Sequence, residues 1–196
     1  MQTPKFSKSA PIAILPYKDE WPQEFQQISK QLKETLGPFA LRLDHIGSTA
    51  VPGLSAKDVI DIQITIATLS DLTVIELLVT AGYNYRSTIK SDNYLGETAK
   101  NDPQLEKRLC CEQSGNRRAN IHIRQEGNFN QQFPILFRDY LRAVPEVQAG
   151  YQLLKERLAE IFPESIEGYL FIKEPAMGLI YEGARKWAAA VNWKIS

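Results

Sequence analysis

A glycine-serine pair and a later aspartate are the residues of this sequence whose types and spacing best suit chemistry. Gly47 and Ser48 follow the alternating segment Leu41–Ile46, and Asp61 lies inside the apolar segment Asp58–Ile66. A Gly-Ser turn at the end of a strand exposes backbone N–H groups and a hydroxyl, which suits an anion such as phosphate. A carboxylate on the next strand can hold a hard cation such as Mg²⁺ against that phosphate. The sequence therefore predicts a phosphate site with Asp61 as a metal ligand.

Each of these residues also has a purely structural explanation. Gly47 allows a tight turn, and Ser48 can cap the turn that follows it. His45, next to the turn, is more readily interpreted as a structural hydrogen-bonding residue. Asp61 is the hardest to explain structurally, because an unpaired carboxylate in an Ile- and Val-rich strand is costly to bury. We therefore expect a cation, a basic side chain or a ligand to face Asp61.

The stretch around this turn resembles the signature of the GrpB family, also called UPF0157. The similarity rests on the run His-Ile-Gly-Ser-Thr-Ala-Val-Pro-Gly-Leu at 45–54, followed by Ala56-Lys57 and Val59–Ile62. Later matches are Phe137–Arg142, Pro145–Val147, Tyr151, Leu154-Lys155, Tyr169 and Lys173. The resemblance thus extends from about Tyr17 to Lys173. Domains of this family are also found after dephospho-CoA kinase in some bacteria, which implies a protein partner.

At a coarser level the pattern is similar to that of the nucleotidyltransferase superfamily. That superfamily has Gly-Ser after a strand, about a dozen residues, and then two carboxylates alternating on the next strand. Here Asp61 and Gln63 hold those two positions, and His122, between Ile121 and Ile123, matches the third carboxylate. The resemblance implies Asp61, Gln63 and His122 as the catalytic set, with His122 as a base in a divergent enzyme. The neutral Gln63 makes the set a weak cage for Mg²⁺.

Basic side chains supply the other half of the predicted site. Arg138 and Arg142 are four residues apart, so one helix face can present both guanidinium groups to a phosphate or carboxylate. The family resemblance raises Arg138, Lys155 and Lys173 above other cations, for which a solvated surface is the simpler explanation. The full set predicted to bind phosphate is Gly47, Ser48, Thr49, Lys57, Arg138, Lys155 and Lys173. Tyr151 and Tyr169 either line this pocket or belong to the core.

The hydrophobic periodicity predicts the elements that position these residues. Apolar residues at spacings of three and four indicate a helix from Asp19 to Gly37. Turn residues Ser114-Gly115-Asn116 between two alternating segments indicate a hairpin. The other predicted elements are strands at 41–46, 58–66 and 83–86 and helices at 70–82, 131–144, 146–162 and 174–191. The order predicts a nucleotidyltransferase-like α+β fold, with a mixed or antiparallel sheet packed by helices and a helical C-terminal part.

Composition excludes several classes of protein. The 196 residues suit one domain, 1–196, with a flexible tail at 1–10 and a mobile loop at 87–105 beside the site. The 23 basic and 23 acidic side chains balance, which argues against a general nucleic-acid or membrane-surface binder. The adjacent Cys110 and Cys111 do not suit a disulfide, and free thiols are typical of the cytoplasm.

Two functions remain open on the sequence alone. The first is a nucleotide or phosphorylated small-molecule site, which includes the possibility of a divergent nucleotidyltransferase. The second is a non-catalytic interaction module that assists a partner similar to dephospho-CoA kinase. The missing second carboxylate favours the second function, and the turn-to-strand spacing favours the first.

Overall fold

A computed structural model describes residues 4–93 and 102–195 of the chain. The first half contains α1 (Trp21–Leu36), β1 (Arg42–Ile46), β2 (Ile60–Ile66), α2 (Thr73–Thr80) and β3 (Tyr83–Tyr85). The second half contains β4 (Lys107–Gln113), β5 (Ala119–Gln125), α3 (Phe129–Ala143), α4 (Pro145–Ile161) and α5 (Ile166–Val191). Short 3₁₀ turns span Gly37–Phe39, Ser48–Ala50 and Pro103–Leu105.

The strands form one mixed sheet in the order β1-β2-β5-β4-β3. The central pair, β2 and β5, is parallel, and the other neighbours are antiparallel. The predicted α+β class is therefore confirmed, as is the hairpin, which joins β4 to β5. Parallel pairing of β2 with β5 sets Gln63 beside His122 and Asp61 beside Asn120.

The two faces of the sheet have different chemistry because side chains alternate along each strand. One face carries the isoleucines of β2 and β5, which pack against α1 and α2 in a core that includes Trp21, Leu32 and Leu78. The opposite face carries polar residues and is covered by the C-terminal helices. A second apolar cluster, around Phe133, Phe137 and Tyr181, holds those helices together. The polar face is where the candidate site lies.

The last helix begins earlier than the sequence indicates. A helix at 174–191 was expected, but α5 starts at Ile166, where the Ser165 hydroxyl accepts a hydrogen bond from the Gly168 N–H at 3.2 Å. Pro175 lies inside this helix and does not end it. The earlier start is important because it places Tyr169 and Lys173 on a rigid element.

The described part of the N-terminal tail, from residue 4 onward, contacts the C-terminal helices. The Ser7 N–H donates to Glu167 Oε2 at 2.9 Å, and the Ser9 N–H donates to the Glu164 carbonyl at 2.7 Å. Phe6 also packs edge-on against Phe162, with ring centroids 5.5 Å apart. Part of the loop predicted at 87–105, namely 94–101, lies outside the described residues. Within the described ranges, no helix is both long and apolar enough to cross a membrane.

Candidate functional site

A cavity of about 540 Å³ lies between the polar face of the sheet and the three C-terminal helices. The turn at Gly47–Thr49, strands β2, β4 and β5, and helices α3, α4 and α5 all contribute to its lining. The helices form one wall. Of the predicted site residues, Gly47, Ser48, Thr49, Lys57, Asp61, His122, Arg138, Lys155 and Lys173 line the cavity.

Gly47 brings the turn directly against the Asp61 carboxylate. Its φ of 72° lies in the left-handed region that favours glycine, and a Cβ at this position would lie 2.5 Å from Asp61 Oδ2. The Asn120 amide donates to the other carboxylate oxygen, Asp61 Oδ1, at 2.8 Å. The glycine therefore has a specific role here: any side chain at this position would displace Asp61.

Two arginines of α3 hold this turn from behind. Arg138 Nη1 donates to the His45 carbonyl at 3.0 Å, and its Nε donates to Asp139 at 2.7 Å. Arg142 donates twice to the Ala50 carbonyl, at 3.0 and 2.6 Å. Arg138 lines the cavity, but its hydrogen bonds are to the protein's own backbone and to Asp139, and phosphate binding by Arg138 stays a prediction. Arg138 and Arg142 do extend from one side of the helix, as their four-residue spacing predicts, and both hydrogen-bond to backbone carbonyls beside the Gly47–Thr49 turn.

His45 and Thr49 form a structural pair beside the turn. The His45 ring stacks on Phe25 with centroids 4.7 Å apart, and its Nε2 lies 3.0 Å from the Thr49 hydroxyl. Burial lowers the pKa of His45 to about 4, so the ring is neutral at pH 7. The Thr49 hydroxyl is hydrogen-bonded to His45 and to the Val59 carbonyl, and its binding of phosphate stays a prediction.

Three lysines from different parts of the chain line the same cavity. Lys155 of α4 is 2% exposed, and its Nζ donates to the Ser48 hydroxyl at 3.1 Å and to the Ser55 carbonyl. Lys57 precedes β2, and its Nζ lies 5.4 Å from the centre of the Tyr169 ring. Lys173 of α5 completes the group. Among the described residues, no carboxylate oxygen lies within 4 Å of any of these three amines.

Burial lowers the pKa values of all three lysines, and repulsion from Lys173 lowers those of Lys57 and Lys155 further. Burial lowers the pKa of Lys155 to about 7, with further lowering by the charges of Lys173 and Lys57. Burial likewise lowers the pKa of Lys57 to about 8, and Lys173 contributes again. The pKa of Lys173 is also lowered by burial, although Asp61 opposes the shift. Depressed pKa values in a cleft are a physical signature of a binding or reaction site.

Asp61 and His122 form the other side of the cavity. His122 Nε2 lies 3.7 Å from Asp61 Oδ1, and its Nδ1 lies 3.4 Å from Arg124 Nη2. Burial, followed by the charge of Arg124, lowers the pKa of His122 to about 4, so the ring is neutral at pH 7. Although burial alone would raise the pKa of Asp61, hydrogen bonds from His122 and Asn120 hold it below its usual value. Asp61 is therefore an anion facing a neutral imidazole.

Gln63 does not join Asp61 and His122 at the cavity. It is fully buried, its amide nitrogen donates to the Gln131 carbonyl at 2.8 Å, and its amide oxygen accepts from Arg124 Nη1 at 2.8 Å. These contacts occupy the Gln63 amide, and the catalytic role predicted for Gln63 stays a prediction. The neutral Gln63 amide thus connects β2 to α3. A carboxylate at this position could not donate this hydrogen bond.

A buried charged network that lines part of the cavity was missed by the sequence analysis. Asp92 accepts hydrogen bonds from Arg124 Nε at 2.9 Å, from Lys107 Nζ at 2.5 Å and from Asn130 Nδ2 at 3.1 Å. All four side chains are less than 9% exposed. The available signal in the sequence was that two predicted strands each carry a basic residue, Lys107 in β4 and Arg124 in β5. Asp92 lies in an irregular segment, where no periodicity could have indicated its burial.

The described residues offer no preformed Mg²⁺ site made of protein ligands alone. Among the described residues, no three His, Cys, Asp or Glu side chains are placed to hold one metal ion. Asp92 is paired with Lys107 and Arg124, and Asp61 Oδ1 already accepts the Asn120 amide. Mg²⁺ requires six oxygen ligands in near-octahedral geometry, and nearby ammonium groups oppose a second cation. These contacts disfavour Mg²⁺ at Asp61, and the role of Asp61 as a metal ligand stays a prediction.

Comparison with known proteins places this chain among well-defined relatives. A family model described as GrpB protein matches residues 11–182. A dephospho-CoA kinase of Mycolicibacterium paratuberculosis is 37% identical over 94% of this chain and 49% of its own length. A UPF0157 protein of Halalkalibacterium halodurans is 30% identical over 78% of this chain and 71% of its own length. The chain spans about half the length of the dephospho-CoA kinases that it matches.

A solved structure supports the same relationship. The conserved protein GrpB from Enterococcus faecalis aligns with a TM-score of 0.71 and 28% identity. The alignment covers 89% of this chain and 98% of that one. The likeness therefore extends over most of this chain and almost all of the other.

Proposed function

The chain belongs to the GrpB family, and we propose that it binds a nucleotide or another phosphorylated small molecule in the cavity above β2 and β5. The observation that carries this proposal is the convergence of Lys57, Lys155 and Lys173 on one buried space. A phosphate group between these amines and the Ser48 hydroxyl would receive charge-assisted hydrogen bonds, which are about twice as strong as neutral ones.

The electrostatics of the cavity favour an anionic ligand. Charged groups are costly to bury unless they are paired, and none of the three amines has a carboxylate within 4 Å among the described residues. Asp61 offsets part of this charge, since it raises the pKa of Lys173 against the effect of burial. A bound phosphate would supply the missing negative charge, so its binding would stabilise the charged form of all three lysines.

The size and the apolar side of the cavity favour a ligand that is larger than phosphate. A volume of about 540 Å³ lies within the ~300–1,000 Å³ range of small-molecule sites. Opposite the polar face, Phe133 and Phe137 of α3 and Leu170 and Met177 of α5 line the cavity. An anionic head at the lysines and an aromatic or apolar group at this wall would fit together. A nucleotide has both parts.

A transferase activity is the finer form of this proposal. The Gly47-Ser48 turn lies against Asp61, and β5 brings His122 beside it, which agrees with the nucleotidyltransferase-like pattern in the sequence. The hydrogen bonds of Gln63 and the poor fit to Mg²⁺ argue against ordinary metal-dependent nucleotidyl transfer. We therefore propose ligand binding as the function, with group transfer only by a route that does not depend on that carboxylate set.

Calorimetry with a panel of nucleoside mono-, di- and triphosphates and pyrophosphate tests the proposal. Lys173→Met should weaken binding of the best ligand by about tenfold or more, because it removes one buried charge partner. Lys33→Met, on the exposed surface of α1, is the matched control and should leave the affinity unchanged. Failure of the whole panel to bind at millimolar concentration would contradict the proposal, as would equal affinity of the Lys173 variant.

The pH dependence of binding provides a second test without any variant. A bound anion should raise the pKa of Lys155 from about 7 and that of Lys57 from about 8, so binding should take up protons. Affinity should therefore fall as the pH rises from 7 to 9. Titrations in two buffers of different ionisation enthalpy measure the proton uptake directly. Proton release on binding would argue for a different ligand position.

We also propose a second function, that of a module which assists a partner similar to dephospho-CoA kinase. Its support is the match of this chain to half the length of such kinases. Helix α5 also exposes Ile172 and Leu179, 41% and 78% accessible, two turns apart on one side. Size-exclusion chromatography with a purified dephospho-CoA kinase domain at about 10 μM tests this function. Separate elution of the two proteins would argue against it, and Leu179→Asp should abolish any complex that forms.

A further inference from the structure

The contact between Ser48 and Lys155 has features beyond those needed to bind an anion. Lys155 Nζ lies 3.1 Å from Ser48 Oγ, within the distance expected for a nucleophile and its base. The lysine is 2% exposed and is positioned by the Ser55 carbonyl and by the Tyr151 ring, whose centre lies 5.0 Å from Nζ. The serine lines the cavity where the proposed ligand binds. A positioned hydroxyl-amine pair therefore faces the ligand space.

We propose that Ser48 is a nucleophile and Lys155 its base, and that Ser48 accepts a phosphoryl group from an anionic phosphoric ester or anhydride. The substrate class in this proposal rests on the proposed function, whereas the reactivity of Ser48 does not.

Lys155 has the protonation behaviour that a base requires. In the ligand-free chain, with a pKa of about 7, roughly half of the amine is uncharged at pH 7, whereas an ordinary lysine is almost entirely charged. A bound anionic substrate raises this pKa, so the step uses the smaller uncharged fraction that remains, which is also the stronger base. Burial is the main cause of the low pKa in the ligand-free chain, and the neighbouring cations assist it. The titratable groups that influence or contact Lys155 are Lys57 before β2, Tyr151 and Glu156 of α4, and Lys173 of α5. Glu156 opposes the shift, and the two lysines strengthen it.

The turn that carries Ser48 is held rigidly, which suits a nucleophile. Arg142 fixes the Ala50 carbonyl, Arg138 fixes the His45 carbonyl, and Gly47 lies against Asp61. Preorganisation of this kind lowers the cost of bringing a hydroxyl to a reacting centre. Lys57 and Lys173 line the same cavity and would offset the negative charge that develops on the transferred phosphoryl oxygens.

The proposed step balances within the site and the substrate. The uncharged Lys155 amine takes the Ser48 hydroxyl proton as Ser48 Oγ forms a bond to phosphorus. The bond from phosphorus to the leaving oxygen breaks, and the leaving group departs with the electron pair. The proton on Lys155 then passes to the leaving group, so the amine returns to its uncharged form. Hydrolysis can later restore Ser48: a water oxygen forms a bond to phosphorus, the bond from phosphorus to Ser48 Oγ breaks, and Lys155 passes the proton that it takes from the water to Oγ.

Labelling of the intact chain with a small alkyl fluorophosphonate tests the nucleophile directly. Ser48 Oγ should form a bond to phosphorus with loss of fluoride, and mass spectrometry of peptides should place the adduct on Ser48. The labelling rate should rise about tenfold per pH unit below pH 7 and level off above pH 8, because it follows the uncharged fraction of Lys155. Absence of a Ser48 adduct, or a rate that does not rise between pH 6 and 8, would overturn the proposal.

Two variants separate a base from a simple charge. Lys155→Arg keeps a cation that stays protonated, so labelling should fall by about a hundredfold or more. Ser91→Ala removes another serine that lines the cavity, whose hydroxyl donates to the Asp92 carbonyl, and should label at the wild-type rate. Wild-type labelling in a folded Lys155→Arg protein, verified by its thermal melt, would overturn the proposal. If that variant does not fold, the wild-type pH profile decides.

The failure of this proposal is distinguishable from failure of the proposed function. If nucleotides bind in a way that depends on Lys173 but Ser48 stays unlabelled, the cavity is a binding site without this nucleophile. If Ser48 labels with the expected pH profile but no phosphorylated ligand binds, the nucleophile stands and its substrate class is wrong.

Discussion

The two faces of the central sheet are made from the same strands but differ in the side chains that they bury. On the face toward α1 and α2, Ile60, Ile62 and Ile64 of β2 are fully buried among other apolar side chains. On the face toward α3, α4 and α5, the intervening Asp61, Gln63 and Thr65 meet charged and polar neighbours. We call these the apolar face and the polar face.

The polar face itself is divided into two zones. Deep in it, Asp92, Lys107, Arg124 and Gln63 satisfy one another with hydrogen bonds and are almost fully buried. Nearer the turn, Asp61 retains 30% side-chain exposure, and the lysines have no carboxylate partner within 4 Å among the described residues. Buried charge is therefore tolerated where it is paired, and it is left available for a ligand where it is not. The difference between the zones predicts that substitutions in the deep zone change mainly stability, whereas substitutions near the turn change mainly ligand binding.

The largest expected effect comes from breaking the deep zone of the polar face. Asp92→Asn should cost about 3–5 kcal/mol of unfolding free energy, because it leaves Lys107 and Arg124 buried without their anion. Urea denaturation measures the change, and Asp19→Ala, at an exposed position, serves as the control. A loss below about 1 kcal/mol would mean that the network is solvated and that the division into two zones is wrong.

The same network predicts how wild-type stability depends on pH. Although burial alone would raise the pKa of Asp92, Arg124 and Lys107 hold it well below its ordinary value of 3.8. A depressed carboxyl pKa gives stability that is complete above about pH 4 and is lost as the pH falls further. The stability difference between wild type and Asp92→Asn should therefore shrink below pH 4. A constant difference down to pH 2 would contradict this assignment.

A substitution on the apolar face should be nearly as costly but should leave the site intact. Ile62→Ala should lower the unfolding free energy by about 3 kcal/mol, because it creates a cavity in the core. The affinity of this variant for the ligand should stay within about twofold of wild type. The Ile62 side chain does not line the cavity, so the substitution leaves the contacts around the ligand unchanged. Ile161→Ala, at a position 67% exposed, is the matched control and should be almost neutral. A large loss of affinity in folded Ile62→Ala protein would show that the two faces are coupled.

Two glycines with similar backbone angles separate turn strain from the contact with Asp61. Gly47 and Gly115 have φ values of 72° and 80°, but only at Gly47 would an added Cβ contact the carboxylate. Either alanine substitution should cost about 1–2 kcal/mol for the strained backbone. Gly47→Ala should cost more than Gly115→Ala and should also weaken ligand binding, measured by calorimetry. Equal effects of the two substitutions on affinity would argue that the Gly47–Asp61 contact does not shape the site.

The smallest expected effect is that of Mg²⁺. Because the residues that the structure describes include no three His, Cys, Asp or Glu side chains placed for one metal ion, the affinity for a nucleoside monophosphate should change by less than about threefold between millimolar Mg²⁺ and a chelator. Calorimetry under the two conditions measures the difference. A tenfold gain in Mg²⁺ that Asp61→Asn abolishes would restore the metal-ligand interpretation of Asp61.

Local patterns were sufficient for most of the architecture. The alternation along β2, the Ser-Gly-Asn turn between β4 and β5, and the spacing of three and four in α1 each depend on neighbouring residues only. The same holds for the conformation at Gly47, where a strand ends and a glycine can turn. The start of α5 was missed because Pro175 is an expected helix breaker, whereas the Ser165 cap and packing against α3 and α4 override it.

The sequence by itself therefore determined the α+β class, the family, and a glycine-serine turn placed before a strand that carries Asp61. Only the tertiary structure decided which polar side chains are free for a ligand. Arg138, Gln63 and Asp92 each find partners on elements distant in the chain, and Lys57, Lys155 and Lys173 meet from three separate segments. The reason is physical: the role of a buried charge depends on its neighbours in space, and spacing along the chain does not specify them.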